Sequence, residues 1–275
     1  MTWTERQQRM LREMGLVVWQ PPGAAAPAAE PAPAPAVVAA PAARAPAPAP
    51  APAPVAAPAP AARNEAAPLA DEERRARIAT LDWPALREAV AACTACELCR
   101  TRKQTVFGVG HPQAQWMVVG EAPGEQEDLQ GEPFVGAAGQ LLDSMLRALS
   151  LTRAADGAQP PPAQRVYIAN TLKCRPPRNR NPEAAEMQAC EPFLIRQIEL
   201  LRPRLILAMG RFAVQALLRS SEPVGKLRGR VHRYQGVPLV VTYHPAYLLR
   251  NLPDKAKAWD DLCLAAGVAE AVEAV

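Results

Sequence analysis

The sequence predicts an α/β fold of three layers, in which helices cover both faces of a central four-stranded parallel sheet. Two observations carry this prediction: apolar segments of strand length alternate with amphipathic segments of helix length, and a glycine or polar residue follows each apolar segment. Neighbouring parallel strands need a crossover connection, usually a helix, so this alternation favours a parallel sheet. The strand candidates are residues 116–120, 166–170, 205–210 and 239–244, and the helix candidates are 139–149, 183–201, 211–219 and 254–272.

The first 70 residues differ in composition from the rest of the chain. Residues 1–20 place Trp3, Met10 and Met14 at roughly helical spacing before an apolar run that ends at Trp19, which predicts a short helix or peptide. Residues 21–70 consist mainly of Ala and Pro and hold almost no large apolar side chains, so we expect a disordered tether. The globular domain is therefore expected at residues 71–275, beginning with a helix over 71–92.

The chain has a modest net charge of +4 and no apolar run of membrane-spanning length. Its N-terminus also lacks the basic and apolar layout of a signal peptide, so a cytoplasmic protein is expected. Nothing in the sequence indicates an obligate oligomer, and a monomer is expected.

Six cysteines in a reducing compartment are better explained as metal ligands, reactive thiols or core residues than as disulfides. Cys93 and Cys96 form a C-x2-C pair, and fifteen residues separate Cys174 from Cys190. Two pairs predict a four-thiolate site for zinc or an iron–sulfur cluster, and the spacing does not separate these metals. Cys99 offers an alternative C-x2-C-x2-C run, whereas Cys263 is expected to be a buried thiol in a helix.

Polar residues follow all four predicted strands. Ligands of open α/β sheets bind beyond the carboxyl ends of the strands, so these residues predict one shared pocket. The sequence has neither a phosphate-binding loop with Lys and Ser or Thr nor a dinucleotide-binding glycine motif at Gly120, which disfavours a nucleoside triphosphatase or dehydrogenase. The four strand ends are Gly120-Glu121, Asn170-Thr171, Gly210-Arg211 and Tyr243-His244-Pro245.

Four motifs follow one another along the chain: Gly120-Glu121-Ala122-Pro123-Gly124, Pro133-Phe134-Val135-Gly136, Asn170-Thr171-Leu172-Lys173-Cys174-Arg175-Pro176-Pro177 and His244-Pro245-Ala246-Tyr247-Leu248-Leu249-Arg250. With these motifs in the family's order, residues 85–265 resemble the family 4 uracil-DNA glycosylases. The resemblance implies that family's three-layer fold and its activity: these enzymes flip uracil out of single- or double-stranded DNA and hydrolyse its N-glycosidic bond, which initiates base excision repair.

The resemblance implies a structural 4Fe–4S cluster held by four of the cysteines. Cys99 lies just after the family's usual C-x2-C-x-Leu segment and would be a bystander. The implied ligands are Cys93, Cys96, Cys174 and Cys190.

The resemblance also implies the residues of a uracil pocket. Phe134 would stack on the base, Asn170 would read its edge, and Glu127 would crowd C5 to exclude the thymine methyl. His244 would donate to O2 of the departing base, and Glu121 would activate water and stabilise the sugar cation. Gly120 and Ala122 would line the same pocket with backbone.

DNA contacts follow from the same motifs and from basic residues in predicted loops. The segment Tyr247-Leu248-Leu249-Arg250 would enter the space left by the flipped base. The other contacts implied are Gly139, where backbone could approach DNA closely, and the basic residues Lys173, Arg175 and Arg228.

Three alternatives concern partners and turnover. Residues 1–20 resemble the partner-binding peptide of the psi subunit of bacterial clamp loaders, which implies a replication or single-strand-binding partner; docking back onto its own domain is the alternative. A uracil-trapping branch of the superfamily uses a histidine in a basic loop after the second strand, whereas Lys173 to Arg180 contains none. The third alternative is a noncatalytic, metal-stapled DNA-binding module.

Overall fold

The computed structural model describes residues 66–154 and 160–273. It confirms the α/β class, with the four predicted parallel strands side by side, but the sheet is mixed and six-stranded rather than four-stranded and parallel. The strands are β1 (Val109–Gly110), β2 (Trp116–Gly120), β3 (Val166–Asn170), β4 (Leu205–Met209), β5 (Val231–Tyr234) and β6 (Val237–Thr242), in the order β1-β3-β2-β4-β6-β5.

The two additional strands lie at the edges and run antiparallel to their neighbours. A hairpin joins β5 to β6 through Gln235 and Gly236, whose φ angles of 47° and 86° are those of a tight two-residue turn. Alternate side chains of β5 are exposed, and β1 contains only two residues, so neither strand carries the apolar run by which buried strands are predicted.

The helix predicted over 71–92 is two helices. The first helix does not continue into the second because Asp82 caps the second helix: its carboxylate accepts a hydrogen bond from the Ala85 N–H. Pro84 occupies the first turn of this second helix. The first helix begins at Ala66, inside the stretch assigned to the tether; residues 1–65 lie outside the described ranges. The helices are α1 (Ala66–Thr80), α2 (Trp83–Ala91), α3 (Glu125–Gln130), α4 (Ala137–Ala148), α5 (Ala184–Leu201), α6 (Arg211–Leu218), α7 (Val224–Leu227), α8 (Pro245–Leu248) and α9 (Asp254–Glu273).

Each face of the sheet is covered by a different pair of long helices. Along β2, Trp116 and Val118 pack in the core formed with α4 and α9, whereas Met117 and Val119 pack in the core formed with α5 and α6. This alternation is the period of a strand that is buried on both faces. A third apolar cluster joins α1 and α2 to the segments that carry the cysteines.

No helix within the described ranges is long and apolar enough to cross a membrane.

Candidate active site and cysteine pocket

A cleft of about 890 Å³ opens at the carboxyl ends of the four parallel strands. The structure brings into it one chemically distinct residue from each strand end: Glu121 after β2, Asn170 at the end of β3, Arg211 after β4 and His244 after β6. The strand-end rule therefore placed the cleft correctly.

Asn170 presents an unsatisfied acceptor to this cleft. Its side chain is 2% exposed, and its Oδ1 atom has no hydrogen-bond partner within the described residues. A Cβ added at Gly120 would lie 2.4 Å from that oxygen and 2.8 Å from the Phe134 ring. A buried polar atom without a partner costs roughly 1–3 kcal/mol, so its retention in a cleft indicates a site for a donating ligand.

Phe134 forms one wall of the cleft in a strained backbone conformation. Its φ angle is 57°, which non-glycine residues rarely adopt, and its ring stacks on His244 with centroids 5.4 Å apart. Arg153 holds this conformation because its guanidinium donates to the carbonyls of Pro133 at 2.8 Å and Phe134 at 2.9 Å.

Gly139 also belongs to the support of Phe134. A Cβ at this position would lie 1.6 Å from the Phe134 carbonyl oxygen, and Gly139 is buried in α4. The absence of a side chain at Gly139 is thus explained by the Phe134 backbone, and the close approach predicted between Gly139 and DNA stays a prediction.

Glu121 is held through its backbone, which leaves its side chain to the cleft. Its carbonyl accepts from the Thr171 hydroxyl and from the Leu172 N–H at 3.1 Å. Across the described ranges, no hydrogen bond to the Glu121 carboxylate is found. Burial raises the pKa of that carboxyl above its usual value, and the nearby charge of Arg211 opposes the rise.

Glu127 lines the same cleft, yet backbone groups occupy both of its oxygens. Oε2 accepts from the Gly124 N–H at 3.0 Å, and Oε1 accepts from the N–H groups of Val135 at 3.2 Å and Gly136 at 3.4 Å. The carboxylate thus caps α3 and ties it to the segment after Phe134. Its predicted role at C5 of the base stays a prediction.

His244 is a neutral imidazole with a defined tautomer. Its Nδ1 accepts from the Ala246 N–H at 3.2 Å, which caps α8, so the proton of the neutral ring lies on Nε2. Burial first, and the charge of Arg250 second, lower the pKa of His244 to about 4. The ring can therefore donate through Nε2 at neutral pH without being a cation.

Two cleft residues, Arg211 and Tyr243, had no role assigned from the sequence. Arg211 begins α6 and is the cation whose charge acts on Glu121. The rings of Tyr243 and Tyr247 stack with centroids 5.0 Å apart, and the Tyr247 hydroxyl donates to Asp254 at 2.7 Å. Adjacency to the third strand end was a signal for Arg211, but the stacking depends on contacts that the sequence does not reveal.

Two of the predicted DNA contacts are wrong. Lys173 is 1% exposed and its Nζ donates to the Asn170 carbonyl at 2.8 Å and to Gln197 Oε1 at 2.6 Å, so its charge does not reach the surface. Leu248 is fully buried in the core beside α9. Leu249, 41% exposed, and the exposed Arg250 are the residues of that segment that face solvent.

The other two basic residues have protein partners. Arg228 is paired with the buried Asp261, with Nε and Nη2 each 3.0 Å from a carboxylate oxygen. Arg175 donates to Asn179 Oδ1 at 2.7 Å and lies 3.8 Å from Glu125. Their contacts with DNA stay predictions.

Five cysteines line one small cavity beneath the loop that follows β3. Arg102 Nη1 donates to the Cys174 sulfur at 3.1 Å, and the Lys173 N–H donates to the Cys190 sulfur at 3.2 Å. Burial raises the pKa of the Cys96 and Cys174 thiols and that of Cys190 to about 12, so a bound cation would be needed to hold them as thiolates. The residues lining it include Cys93, Cys96, Cys99, Cys174 and Cys190.

Cys263 lies outside this cavity, exposed on α9. The expectation that it is buried is wrong because the apolar face of α9 turns Trp259 and Leu262, rather than Cys263, toward the sheet.

Known proteins resemble this chain over the region that carries the cleft. The model of the Uracil DNA glycosylase superfamily matches residues 107–263. A type-4 uracil-DNA glycosylase of Pyrobaculum aerophilum is 41% identical over 194 residues, 67% of this chain and 93% of that protein. A type-4 enzyme of Archaeoglobus fulgidus is 40% identical over 168 residues, 58% of this chain and 79% of that protein.

A type-5 uracil-DNA glycosylase of Pyrobaculum aerophilum is less similar, with 34% identity over 152 residues, 52% of this chain and 66% of that protein. Both the matched family and the more extensive type-4 similarity agree with the resemblance seen in the motifs. The chain therefore belongs to the uracil DNA glycosylase superfamily and, within it, to the type-4 group.

Proposed function

We propose that this protein is a uracil-DNA glycosylase, which flips deoxyuridine out of DNA and hydrolyses its N-glycosidic bond to leave an abasic site. Family membership supports the reaction, and one observation in the cleft carries the substrate: the buried Asn170 Oδ1 has no partner. A base within a duplex cannot reach a cleft of this depth, so the nucleotide must leave the stack.

Base selection rests on the Asn170 amide. Its Oδ1 accepts the N3–H of uracil while its Nδ2 donates to O4. Cytosine presents an unprotonated N3 and an amino group instead, so both contacts would be mismatched, and mismatched buried polar groups reject an analogue strongly. Phe134 supplies the stacking wall, and Gly120 leaves the space in which the base edge meets the amide.

Bond cleavage places negative charge on the leaving uracil and positive charge on the sugar. The C1′–N1 electron pair departs with uracil, whose O2 receives a hydrogen bond from Nε2 of neutral His244. Glu121 stabilises the sugar cation and accepts the proton of the water that attacks C1′. Arg211 favours the charged form of Glu121, which this role requires. Ala122 lines the same cleft, and Gly120 lies next to the Asn170 amide and the Phe134 ring.

The cofactor in this proposal is a 4Fe–4S cluster on Cys93, Cys96, Cys174 and Cys190, which when bound would cross-link the chain without joining the reaction. All four sulfurs line one cavity, which supports a shared four-thiolate site. The resemblance of the cysteine motif to that of the family favours the cluster over zinc.

The cofactor has a direct test. Protein purified without added metal should contain about four iron atoms per chain and little zinc by elemental analysis. Zinc without iron would contradict the assignment.

Residues 1–20 are proposed to recruit a replication or single-strand-binding protein to a monomeric enzyme. A pull-down with the full chain and with a chain lacking residues 1–20 tests this proposal. Equal capture of the partner by both chains would refute it.

Release of free uracil is the decisive test of the reaction. Wild-type protein should convert uracil-containing single-stranded and duplex oligonucleotides to abasic products, and His244→Ala should do so far more slowly. Binding without product would indicate the noncatalytic module. A shifted protein band on a denaturing gel would indicate trapping, which the absence of histidine from Lys173 to Arg180 argues against.

A further inference from the structure

Lys173 lies between the two sites and contacts both. Its side-chain ammonium donates to the Asn170 carbonyl at 2.8 Å, while its backbone N–H donates to the Cys190 sulfur at 3.2 Å. Its own carbonyl accepts from the Val106 N–H at 2.8 Å. All these contacts are internal, so this lysine is built into the structure rather than offered to DNA.

The Asn170 carbonyl needs this donor because the sheet does not provide one. The Thr171 N–H donates to Gly120 on β2 at 3.1 Å, so the carbonyl of the same peptide unit points away from β2. On the opposite side of β3, the neighbouring strand β1 pairs only with Tyr167 and Ile168, so it does not pair with Asn170. The ammonium of Lys173 therefore takes the place of a strand partner at the end of β3.

Gln197 on α5 fixes the ammonium in turn. It is fully buried, and its Nε2 donates to the Phe107 carbonyl at 2.9 Å and to the Tyr167 hydroxyl at 3.2 Å. Because both protons of its amide are engaged, its Oε1 must face Lys173, which it meets at 2.6 Å. The position of the ammonium is thus determined from two directions.

Because the peptide unit between Asn170 and Thr171 is held in place, the side-chain amide of Asn170 is held in place as well. The Asn170 side chain has only two rotatable bonds and leaves the chain at the residue whose carbonyl Lys173 holds. Its Oδ1 has no contact of its own within the described residues, so the orientation of the amide before the base arrives depends on the backbone. A small displacement of this backbone would move Asn170 Oδ1, which must accept a hydrogen bond from the N3–H of uracil.

We infer that Lys173 and Gln197 are positioning residues for base recognition, which hold the end of β3 so that Asn170 meets the uracil edge. The inference rests on the proposed uracil excision. It also joins the two sites, because the segment that carries Asn170 is anchored four residues later at Cys174.

The experiment measures single-turnover excision and inhibition by free uracil for Lys173→Met, Gln197→Met, Asn170→Ala and the double variant Lys173→Met/Asn170→Ala. Lys173→Met should lower kcat/KM and weaken uracil inhibition by about 10-fold or more, the size expected for loss of a charged hydrogen bond. In the Asn170→Ala background, the same substitution should have little further effect, because it acts through that side chain.

Three readouts separate positioning from other roles. The salt dependence of DNA binding should not change in Lys173→Met, and the iron content should match wild type. Gln188→Met, at an exposed position of the same helix, is the matched control for Gln197→Met and should retain wild-type excision. If Lys173→Met fails to fold or loses iron, Gln197→Met decides the question.

Equal losses from Lys173→Met in the wild-type and Asn170→Ala backgrounds would overturn the inference. So would a reduced salt dependence, which is the signature of a phosphate contact, or unchanged uracil inhibition in folded, iron-containing Gln197→Met. If wild-type protein releases no uracil, the proposed function itself fails; if it does and the positioning variants match it, only this inference fails.

Discussion

The cleft and the cysteine pocket lie at the two ends of one short segment, residues 170–174, but they differ in whether their polar groups have hydrogen-bond partners. In the cleft, Asn170 Oδ1 is buried without a partner and burial raises the pKa of the Glu121 carboxyl. In the pocket, Arg102 and the Lys173 N–H donate to the sulfurs of Cys174 and Cys190. In these two sites, the buried oxygen without a partner lies where the ligand is proposed to bind, whereas the sulfurs that accept hydrogen bonds lie where a cross-link is proposed.

The largest effect is expected from substitutions of the two proposed catalytic residues of the cleft. Glu121→Gln and His244→Ala should each lower the single-turnover rate by roughly 10²–10³-fold, because each removes charge stabilisation made in the transition state. Affinity for uracil-containing DNA should stay near wild type in a gel-shift measurement. The exposed Glu88→Gln on α2 is the control for charge loss. Wild-type rates in both cleft variants would refute the site.

A substitution in the pocket should instead act on stability. Cys174→Ala should release iron and lower Tm by roughly 10 °C, which corresponds to about 3 kcal/mol for a domain of this size. Calorimetry and elemental analysis check both effects. Cys99→Ala and Cys263→Ala are matched controls that should keep their iron; loss of iron in Cys99→Ala but not in Cys190→Ala would favour the C-x2-C-x2-C ligand set.

The selectivity for uracil over cytosine should depend on Asn170, at the cleft end of the same segment. Asn170→Asp replaces the amide donor with an acceptor, which no longer matches uracil O4 and can accept from the cytosine amino group. The ratio of uracil to cytosine excision should fall by roughly 10- to 100-fold. Matched oligonucleotides that differ at one base measure it, and an unchanged ratio would remove Asn170 from base reading.

The pH dependence of kcat/KM should reflect the titration of Glu121 and not that of His244. Burial raises the pKa of Glu121, so protonation removes the required carboxylate as pH falls, and kcat/KM declines by up to about tenfold per pH unit below that pKa. The pKa of His244 is lowered to about 4, below the raised pKa of Glu121, so the ring is neutral where this decline begins. Glu121→Gln should abolish the acid limb; an unaltered limb in that variant would assign it to another group.

The smallest effect is expected at the rim of the cleft. Arg250 is exposed beside His244, and Arg250→Ala should weaken DNA binding several-fold and reduce the salt slope by about 0.9 for one lost duplex phosphate contact. Fluorescence anisotropy over a range of salt concentrations measures both. Arg77→Ala, on the exposed side of α1, should leave the slope unchanged. A slope like that of wild type in Arg250→Ala would remove this residue from the phosphate contacts.

Much of the fold was predictable because its strongest signals are local. The bounds of β2 and β3 agree with the predicted segments, since both strands are continuous apolar runs that end at a polar residue or glycine. The edge strands were missed because they bury little, and the break at Asp82 was missed because the apolar positions on either side continue one helical period.

Burial direction was the main source of error in the site. Lys173 and Leu248 both follow strand ends within motifs that suggested contact with DNA, yet each side chain turns into the protein. Glu127 and Gly139 were assigned to ligands, and the structure adds contacts with backbone groups: Gly124, Val135 and Gly136 donate to Glu127, and the Phe134 carbonyl lies against Gly139. A sequence motif shows which residues are present, but it does not show which neighbour each side chain contacts.

The sequence by itself determined the class of the fold, the four parallel strands and the meeting of an acid, an amide and an imidazole at their carboxyl ends, because periodicity and chain order dictate these features. Only the tertiary structure decided which polar groups are satisfied. Lys173 and Arg228 each have a partner on a helix distant in the chain, Gln197 and Asp261 respectively, and the free oxygen of Asn170 is defined by the atoms that surround it.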